Sequence, residues 1–219
     1  IQQQLVRDHP RNVEYIDQLA ESQANLGMLL DQVGDAQGAE RSLRAAIDLL
    51  RSIPASRDDH SSSARNLAIV YNNLSYVLRA RDPAEAEGAS RAAITVLEGL
   101  VDESSKRLEF QDDLALCYNN VAALESQSQR WDKAIDWHRR AIELQEQMSG
   151  KAPGVVRHRS ELAVSLNNLG VVFCRAKRPV EADSAFERAR LLLTKLVGDF
   201  PDELAYSSSW AAVLNNQAM

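Results

Sequence analysis

The sequence predicts an all-α fold in which antiparallel helix pairs stack one after another into an open array. Two observations support this prediction. A short sequence motif, Asn-Asn followed by an apolar residue as in Asn72-Asn73-Leu74, recurs along the 219 residues. Pro (6) and Gly (9) are scarce, as long helices require. The second asparagine of the recurring phrase lies at Asn25, Asn73, Asn120, Asn168 and Asn216. The steps between these positions are 48, 47, 48 and 48 residues, a near-constant period that is typical of repeat proteins.

Each repeat opens with a predicted helix whose apolar side chains share one face. Leu19 and Leu26 in the first copy, like Leu162 and Leu169 in the fourth, are seven residues apart, which places each pair on one side of a helix. A proline such as Pro153 stands at the start of three of these helices, where a missing N–H costs nothing. The predicted first helices cover residues 11–33, 59–80, 105–128, 154–176 and 202–219.

A short turn leads from each first helix to a predicted second helix. Two of its columns are always alanine: Ala39, Ala86, Ala134 and Ala182, and then Ala46, Ala93, Ala141 and Ala189. Small side chains at matched places allow helix axes to approach to roughly 8 Å. Ser90 and His138 stand where other copies have Leu43 and Phe186, and His138 is expected to be a core residue. The predicted second helices cover residues 36–52, 83–99, 131–148 and 179–197.

The helices group into one predicted array over 1–219. Residues 1–9 align with the end of a repeat, so the chain is expected to be a piece of a longer protein. Complete repeats are predicted at 10–57, 58–104, 105–152 and 153–200, and residues 201–219 are predicted to be the first helix of a fifth.

The composition argues against several classes of function. A net charge of −6 disfavours nucleic acid as the main partner, because phosphate binding needs clustered Lys and Arg. The chain holds no apolar run of 18 residues, so no membrane partner is predicted. Cys117 is expected in the core and Cys174 in a groove, and two cysteines without a disulfide framework favour a reducing, cytoplasmic location. No metal, cofactor or catalytic motif is found, so this stretch is predicted not to be an enzyme.

Positive charge is concentrated in the middle of the chain. Residues 130–178 carry 10 Lys and Arg against 5 Asp and Glu. Two interpretations stay open, a solvated helix face and a surface that steers an acidic partner.

The spacing of small and large residues resembles a known family. Leu26-Gly27, followed by Ala39, Leu43 and Ala46, is similar to the consensus of the tetratricopeptide repeat. The usual unit has about 34 residues, and long units with an Asn-Asn-Leu phrase resemble those of kinesin light chain and the arrays fused to bacterial serine/threonine kinases. The resemblance implies a right-handed α-solenoid, the TPR superhelix, whose first helices line a concave groove that binds a protein or peptide.

The first helices carry a second apolar line, on the side away from the buried stripe and flanked by the asparagines. At about 100° per residue, Ile69 and Tyr76 point away from that stripe. The resemblance places this line in the groove, where the amides would hold a peptide's main chain and Arg79 or Arg175 would select its side chains. The predicted groove residues are Asn25, Asn72, Asn73, Asn119, Asn120, Asn167, Asn168, Ile69, Tyr76, Leu116, Val164, Val171, Arg79 and Arg175.

Several alternatives stay open. The Asn side chains would bond to one another across neighbouring helices with no ligand, and the second apolar line would be ordinary core between repeats. The array would be the regulatory or substrate-recruiting part of a bacterial serine/threonine kinase whose catalytic domain lies outside these residues. It would otherwise be a structural scaffold that self-associates, with contacts through its end helices.

Overall fold

Ten α-helices make up the part of the chain that the computed structural model describes, residues 1–54, 60–103 and 107–217, and these ranges contain no β-strand. The helices are α1 (Gln2–Asp8), α2 (Val13–Gln32), α3 (Ala36–Arg51), α4 (His60–Leu78), α5 (Pro83–Glu103), α6 (Leu108–Gln127), α7 (Trp131–Lys151), α8 (Val156–Arg175), α9 (Pro179–Asp199) and α10 (Leu204–Gln217). The first helices of the predicted repeats are α2, α4, α6, α8 and α10, and the second helices are α3, α5, α7 and α9. The predicted all-α class and the predicted helix order are confirmed.

Most second helices are longer than predicted. Helices α5, α7 and α9 run two to four residues beyond the predicted ends at 99, 148 and 197. Each continues past a glycine, since one glycine costs a helix only about 1 kcal/mol and does not end it. The glycines are Gly99, Gly150 and Gly198. The predicted helix limits at 59, 105 and 219 lie outside the described residues.

The prolines predicted at the starts of the first helices lie instead in the connections between helices. Pro10 and Pro153 each stand three residues before a first helix, which begins at Val13 or Val156. His9, which precedes Pro10, has φ −132° and ψ 63°, because proline disfavours the helical conformation of its predecessor. The prediction that these prolines lie at the helix start is therefore wrong by one short turn.

The chain divides into two compact units, Ile1–Asn120 and Val121–Met219. In the first unit α2 packs against α3, α3 against α4, and α4 against α5, while α2 also meets α4. In the second unit α7 packs against α8, α8 against α9, and α9 against α10, while α8 also meets α10. Each unit thus has sequential helices in contact and neighbouring first helices side by side, as in a helical repeat. The repeat limits themselves stay a prediction.

The alanine columns are among the most buried positions of both units. Seven of these alanines are 0% exposed and the eighth, Ala182, is 1% exposed. The fully buried ones are Ala39, Ala46, Ala86, Ala93, Ala134, Ala141 and Ala189. Side chains of this size allow the close helix approach that the columns predict.

In the first unit the facing residues at the contact between paired helices are matched in size, so that a larger residue on one helix meets a smaller one on the other. A Cβ built on Gly27 would lie 2.8 Å from Leu43 Cγ, so only glycine fits opposite this leucine. In the next pair both sides are of intermediate size: the hydroxyl oxygens of Ser75 and Ser90 are 2.6 Å apart in a buried hydrogen bond. Ser90 therefore replaces the larger leucine without leaving an unsatisfied hydroxyl.

In the second unit the glycine of the first helix faces a still larger side chain, that of Phe186. A Cβ built on Gly170 would lie 2.5 Å from Cε1 of Phe186, whose side chain is 1% exposed. His138 stands at the corresponding place in α7 and is 3% exposed. Burial lowers the pKa of His138 to about 4, so its imidazole is neutral at physiological pH. The prediction that His138 is a core residue is confirmed.

Helix α2 is less covered than α4. Leu26 and Leu29 are 44% and 59% exposed, whereas Leu74 and Val77 at the same places in α4 are 5% and 6% exposed. Helix α4 lies between α3 and α5, whereas the helix before α2 is the seven-residue α1. The prediction that Leu26 belongs to a buried stripe is wrong, because burial of that stripe needs a neighbouring helix.

Replacing Gly170 with Ala is expected to lower the free energy of unfolding by about 1–3 kcal/mol, since the new methyl group meets a ring that has no room to move. Urea unfolding followed by circular dichroism measures the change. The matched control is Gly198→Ala in α9, where a Cβ meets nothing within 4 Å. Alanine at position 198 is expected to raise the urea midpoint of unfolding, because alanine favours the helix more than glycine does. Equal effects of the two substitutions would contradict the size-matched contact.

Candidate functional site

The second apolar line on the first helices is open to solvent. In the first unit Tyr76 of α4 is 45% exposed and Leu116 of α6 is 52% exposed, while Ile69 is half-buried. In the second unit Val164 of α8 is 44% exposed and Val171 is partly buried. The alternative that this line is core between repeats is therefore wrong for Tyr76, Leu116 and Val164.

Arg79, one of the two predicted side-chain selectors, is part of this line. Its guanidinium carbon lies 4.1 Å from the centroid of the Tyr76 ring. Tyr76 lies in the last turn of α4 and Arg79 directly follows the helix, so the two side chains are three residues apart and meet on the same side. A guanidinium that covers a ring with its flat side still directs its N–H groups outward from the edges. Arg79 is thus able to donate hydrogen bonds while it stays in contact with Tyr76.

Arg175, the other predicted selector, lines a cavity of about 720 Å³ in the second unit with Val171. The cavity is bounded by α8, α9 and α10, and its other lining residues are Cys174, Lys177, Pro179, Ala182, Asp183, Phe186, Asn216 and Gln217. Lys177 was not among the predicted groove residues. It lies in the turn after α8 with φ 59°, and a turn residue follows no helical periodicity that would point to it.

The asparagines form hydrogen bonds between adjacent first helices in both units. Asn120 Nδ2 donates to Asn72 Oδ1 at 2.6 Å, which joins α6 to α4. Asn216 Nδ2 donates to Asn167 Oδ1 at 3.0 Å, which joins α10 to α8. For these four amides the structure shows the bonding across neighbouring helices that the sequence left as an alternative to ligand binding.

Other asparagines of the column are not paired in this way. Asn25, Asn73 and Asn168 make no side-chain hydrogen bond to another described residue. Asn119 is half-buried and has an interaction within the chain. Asn25 is exposed, and Asn73 and Asn168 are half-buried. These last three amides keep both a donor and an acceptor for an outside partner.

Further polar contacts join the first helices near their N-terminal ends. Ser63 of α4 donates to Asp17 Oδ2 of α2 at 2.7 Å. Arg65 Nε of α4 donates to Asp113 Oδ2 of α6 at 2.5 Å, and this bond raises the pKa of the Arg65 guanidinium. Together with the bond from Asn120 to Asn72, these contacts fix the spacing of adjacent first helices in the first unit. The sequence offered no signal for them, because the partners are 46 and 48 residues apart.

The two cysteines have opposite surroundings. Cys117 is 2% exposed, and its thiol donates to Asn72 Oδ1 at 3.8 Å. Burial raises the pKa of the Cys117 thiol to about 12, and the charge of Asp113 adds to the rise. Cys174 is exposed and lines the cavity of the second unit. Cys117 therefore lies in the core as predicted, and Cys174 is the thiol within reach of solvent.

A maleimide at pH 7.5 is expected to label Cys174 within minutes and to leave Cys117 unmodified. A thiol with a pKa of about 12 provides almost no thiolate at that pH, and the fold also shields it. Mass spectrometry after proteolysis measures both sites. In the Cys174→Ser variant, labelling is expected only in urea, and rapid labelling of the folded variant would show that Cys117 is not held in a closed core.

The described residues hold no group of three or more His, Cys, Asp or Glu arranged to bind a metal ion. Among the described helices, none combines the length and the apolar content that crossing a bilayer needs.

A family model of the tetratricopeptide repeat matches two stretches of this sequence, residues 114–156 and 162–202. The first stretch covers most of the predicted third repeat and the second covers most of the predicted fourth, and each extends a few residues past the predicted end of its repeat. The similarity to this family that the sequence indicates is confirmed. Among curated proteins, none matches the chain.

Solved structures of helical-repeat proteins are similar to the whole chain. BtubC (BKLC) from P. vanneervenii shares 18% identity over 99% of this chain and 84% of its own, with a TM-score of 0.58. The apo form of RapI shares 14% identity over 99% of this chain, with a TM-score of 0.67, and the chain spans about half (52%) of RapI. A putative kinesin light chain with nearly identical TPR-like repeats from Podosopora anserina shares 17% identity over 93% of this chain and 88% of its own, with a TM-score of 0.51. At these identities the similarity shows the fold alone.

Proposed function

We propose that this chain, which is similar to tetratricopeptide-repeat proteins, binds extended protein segments on the exposed face of the first helices within each of its two units. The observation that supports this most is the set of exposed apolar side chains on that face, Tyr76 and Leu116 in the first unit and Val164 in the second. Exposed apolar side chains repeated at matched positions suit an interaction surface, since burying them lowers the free energy by about 25 cal/mol per Å².

The amides beside this line suit the main chain of a ligand. Each peptide unit offers one C=O and one N–H, and an Asn side chain both donates and accepts. Asn73 in the first unit and Asn168 in the second are half-buried and make no side-chain hydrogen bond to another described residue. Recognition through main-chain groups selects an extended conformation and tolerates many ligand sequences.

We expect the apolar line and the arginines to select the side chains of the ligand. The ring of Tyr76 with the guanidinium of Arg79 makes a flat surface in the first unit, and Arg175 with Lys177 brings positive charge to the cavity of the second. We expect ligands that combine apolar side chains with hydrogen-bond acceptors or acidic groups.

The cellular setting is proposed on the same basis. Two free cysteines agree with a reducing compartment such as the cytoplasm. That the array recruits substrates for a bacterial serine/threonine kinase stays a prediction, which the sequence of the intact protein tests.

Leu116→Ser is expected to weaken peptide binding about fivefold, because a half-exposed leucine that becomes buried contributes about 1 kcal/mol. The probe is the tightest peptide selected on the whole chain from a phage library of short random peptides. It is labelled with fluorescein and titrated by anisotropy.

The matched control is Leu191→Ser on α9, since Leu191 is 57% exposed but lies on a second helix. Native affinity is expected for this variant. If the library yields no peptide, or if both variants lose affinity equally, the first helices are not the binding face.

A further inference from the structure

We propose that the cavity of the second unit binds an acidic loop on a second copy of this chain, so that copies associate head to tail. The acidic loop is residues 199–204, Asp-Phe-Pro-Asp-Glu-Leu, where α9 ends and α10 begins. This contact goes beyond the proposed function, since it joins two copies of the chain and requires no peptide ligand.

The cavity is positively charged and has apolar walls. Arg175 and Lys177 line it, are exposed, and form no salt bridge with another described residue. Asp183 also lines the cavity, so two cations and one carboxylate leave a net charge of +1. Val171 and Pro179 contribute apolar surface. The volume of about 720 Å³ lies within the range of about 300–1,000 Å³ that is usual for ligand pockets, so we expect a bound group that combines apolar and acidic side chains.

The acidic loop offers this chemistry. Phe200 and Leu204 are large and apolar, yet they are 40% and 77% exposed. Asp202 and Glu203 lie between them, are exposed, and form no salt bridge with another described residue. The loop therefore presents apolar side chains and unpaired carboxylates together, in charge complementary to the cavity.

The exposed apolar side chain of the loop is not a general feature of the repeat. The connection one repeat earlier, residues 152–155, is Ala-Pro-Gly-Val and carries no charge. Val156 begins α8 as Leu204 begins α10, but Val156 is partly buried against the core of its unit. Leu204 is thus left for an outside partner to cover.

The cavity and the acidic loop lie at opposite ends of α9. Pro179 and Ala182 of the cavity belong to the start of this helix, and the loop begins at its last residue, Asp199. A helix of 21 residues is roughly 30 Å long, so the loop does not reach the cavity of its own copy. Two complementary surfaces at opposite ends of a rigid helix produce a heterologous contact, in which each copy's loop meets the next copy's cavity.

The contact is small, so the association is expected to be weak. A loop of six residues buries less than the roughly 1,200 Å² at which stable complexes begin. Sedimentation velocity at rising protein concentration measures the association. We expect assembly between about 10 μM and 1 mM in low salt, and dissociation in about 0.5 M NaCl because salt screens exposed charges.

Charge reversal tests which surfaces meet. The cavity variant carries Arg175→Glu and Lys177→Glu, and the loop variant carries Asp202→Lys and Glu203→Lys. Each variant alone is expected to associate about tenfold more weakly than the native chain, because like charges then face each other. An equimolar mixture is expected to regain native association, since the cavity of each variant matches the loop of the other. Recovery in the mixture also shows that both variants are folded.

Two further variants separate this contact from general effects of charge. Lys133→Glu with Lys151→Glu on α7 is the matched control, because it changes the net charge as much as the cavity variant but alters neither surface. Native association is expected for it. Leu204→Ser leaves the charge unchanged and is expected to weaken association about fivefold, since an exposed leucine no longer becomes buried.

Cys174 reports whether the cavity is the surface that becomes covered, because its exposed thiol lies in the lining. Labelling of Cys174 by maleimide is expected to slow as the native chain assembles and to keep its rate in the cavity variant at the same concentration. Labelling that is equally fast in assembled and dissociated chains would show that copies meet elsewhere.

A chain that stays monomeric up to about 1 mM in low salt overturns the contact between copies. A mixture of the two charge-reversed variants that associates no better than either alone overturns it too. If the phage-selected peptide protects Cys174 in a chain that stays monomeric, the cavity belongs to the peptide and not to a second copy. The comparison of Leu116→Ser with Leu191→Ser is independent of these results, so the proposed function stands or fails separately.

Discussion

The close approach of the two helices in each pair is the constraint on which the rest of the structure depends. Fully buried alanines on the second helices leave room for one large side chain at the crossing, Leu43 opposite Gly27 or Phe186 opposite Gly170. Because protein interiors are close-packed, a gain of volume on one helix requires a loss on the other. The tight pair fixes the rotation of the first helix about its axis, and this decides which of its faces meets solvent.

Adjacent first helices are held together by a different kind of contact. In the first unit Arg65 bonds to Asp113, and Asn72 accepts from Asn120. A hydrogen bond requires a narrow range of distance and angle, so it fixes the spacing of two helices more closely than an apolar contact does. Apolar side chains such as Leu116 are then left exposed at set positions. A surface arranged before the ligand arrives loses less entropy on binding.

The repeat period and the 3.6-residue spacing predict the helices because both are local properties of the chain, and the alanine columns point directly to the buried crossings. Features that depend on neighbours escape such reasoning. The exposure of Leu26 depends on which helices lie beside α2, and the pairing of Asn120 with Asn72 depends on the distance between α4 and α6.

Chemical-shift mapping of the isotope-labelled chain tests most directly whether the exposed face of the first helices binds the ligand. With the selected peptide added, we expect the largest amide shifts in α4, α6 and α8, near Tyr76, Leu116 and Val164, and small shifts in α3, α5 and α9. Shifts that concentrate on the second helices, or spread evenly over both sets, would show that the exposed apolar line has another purpose.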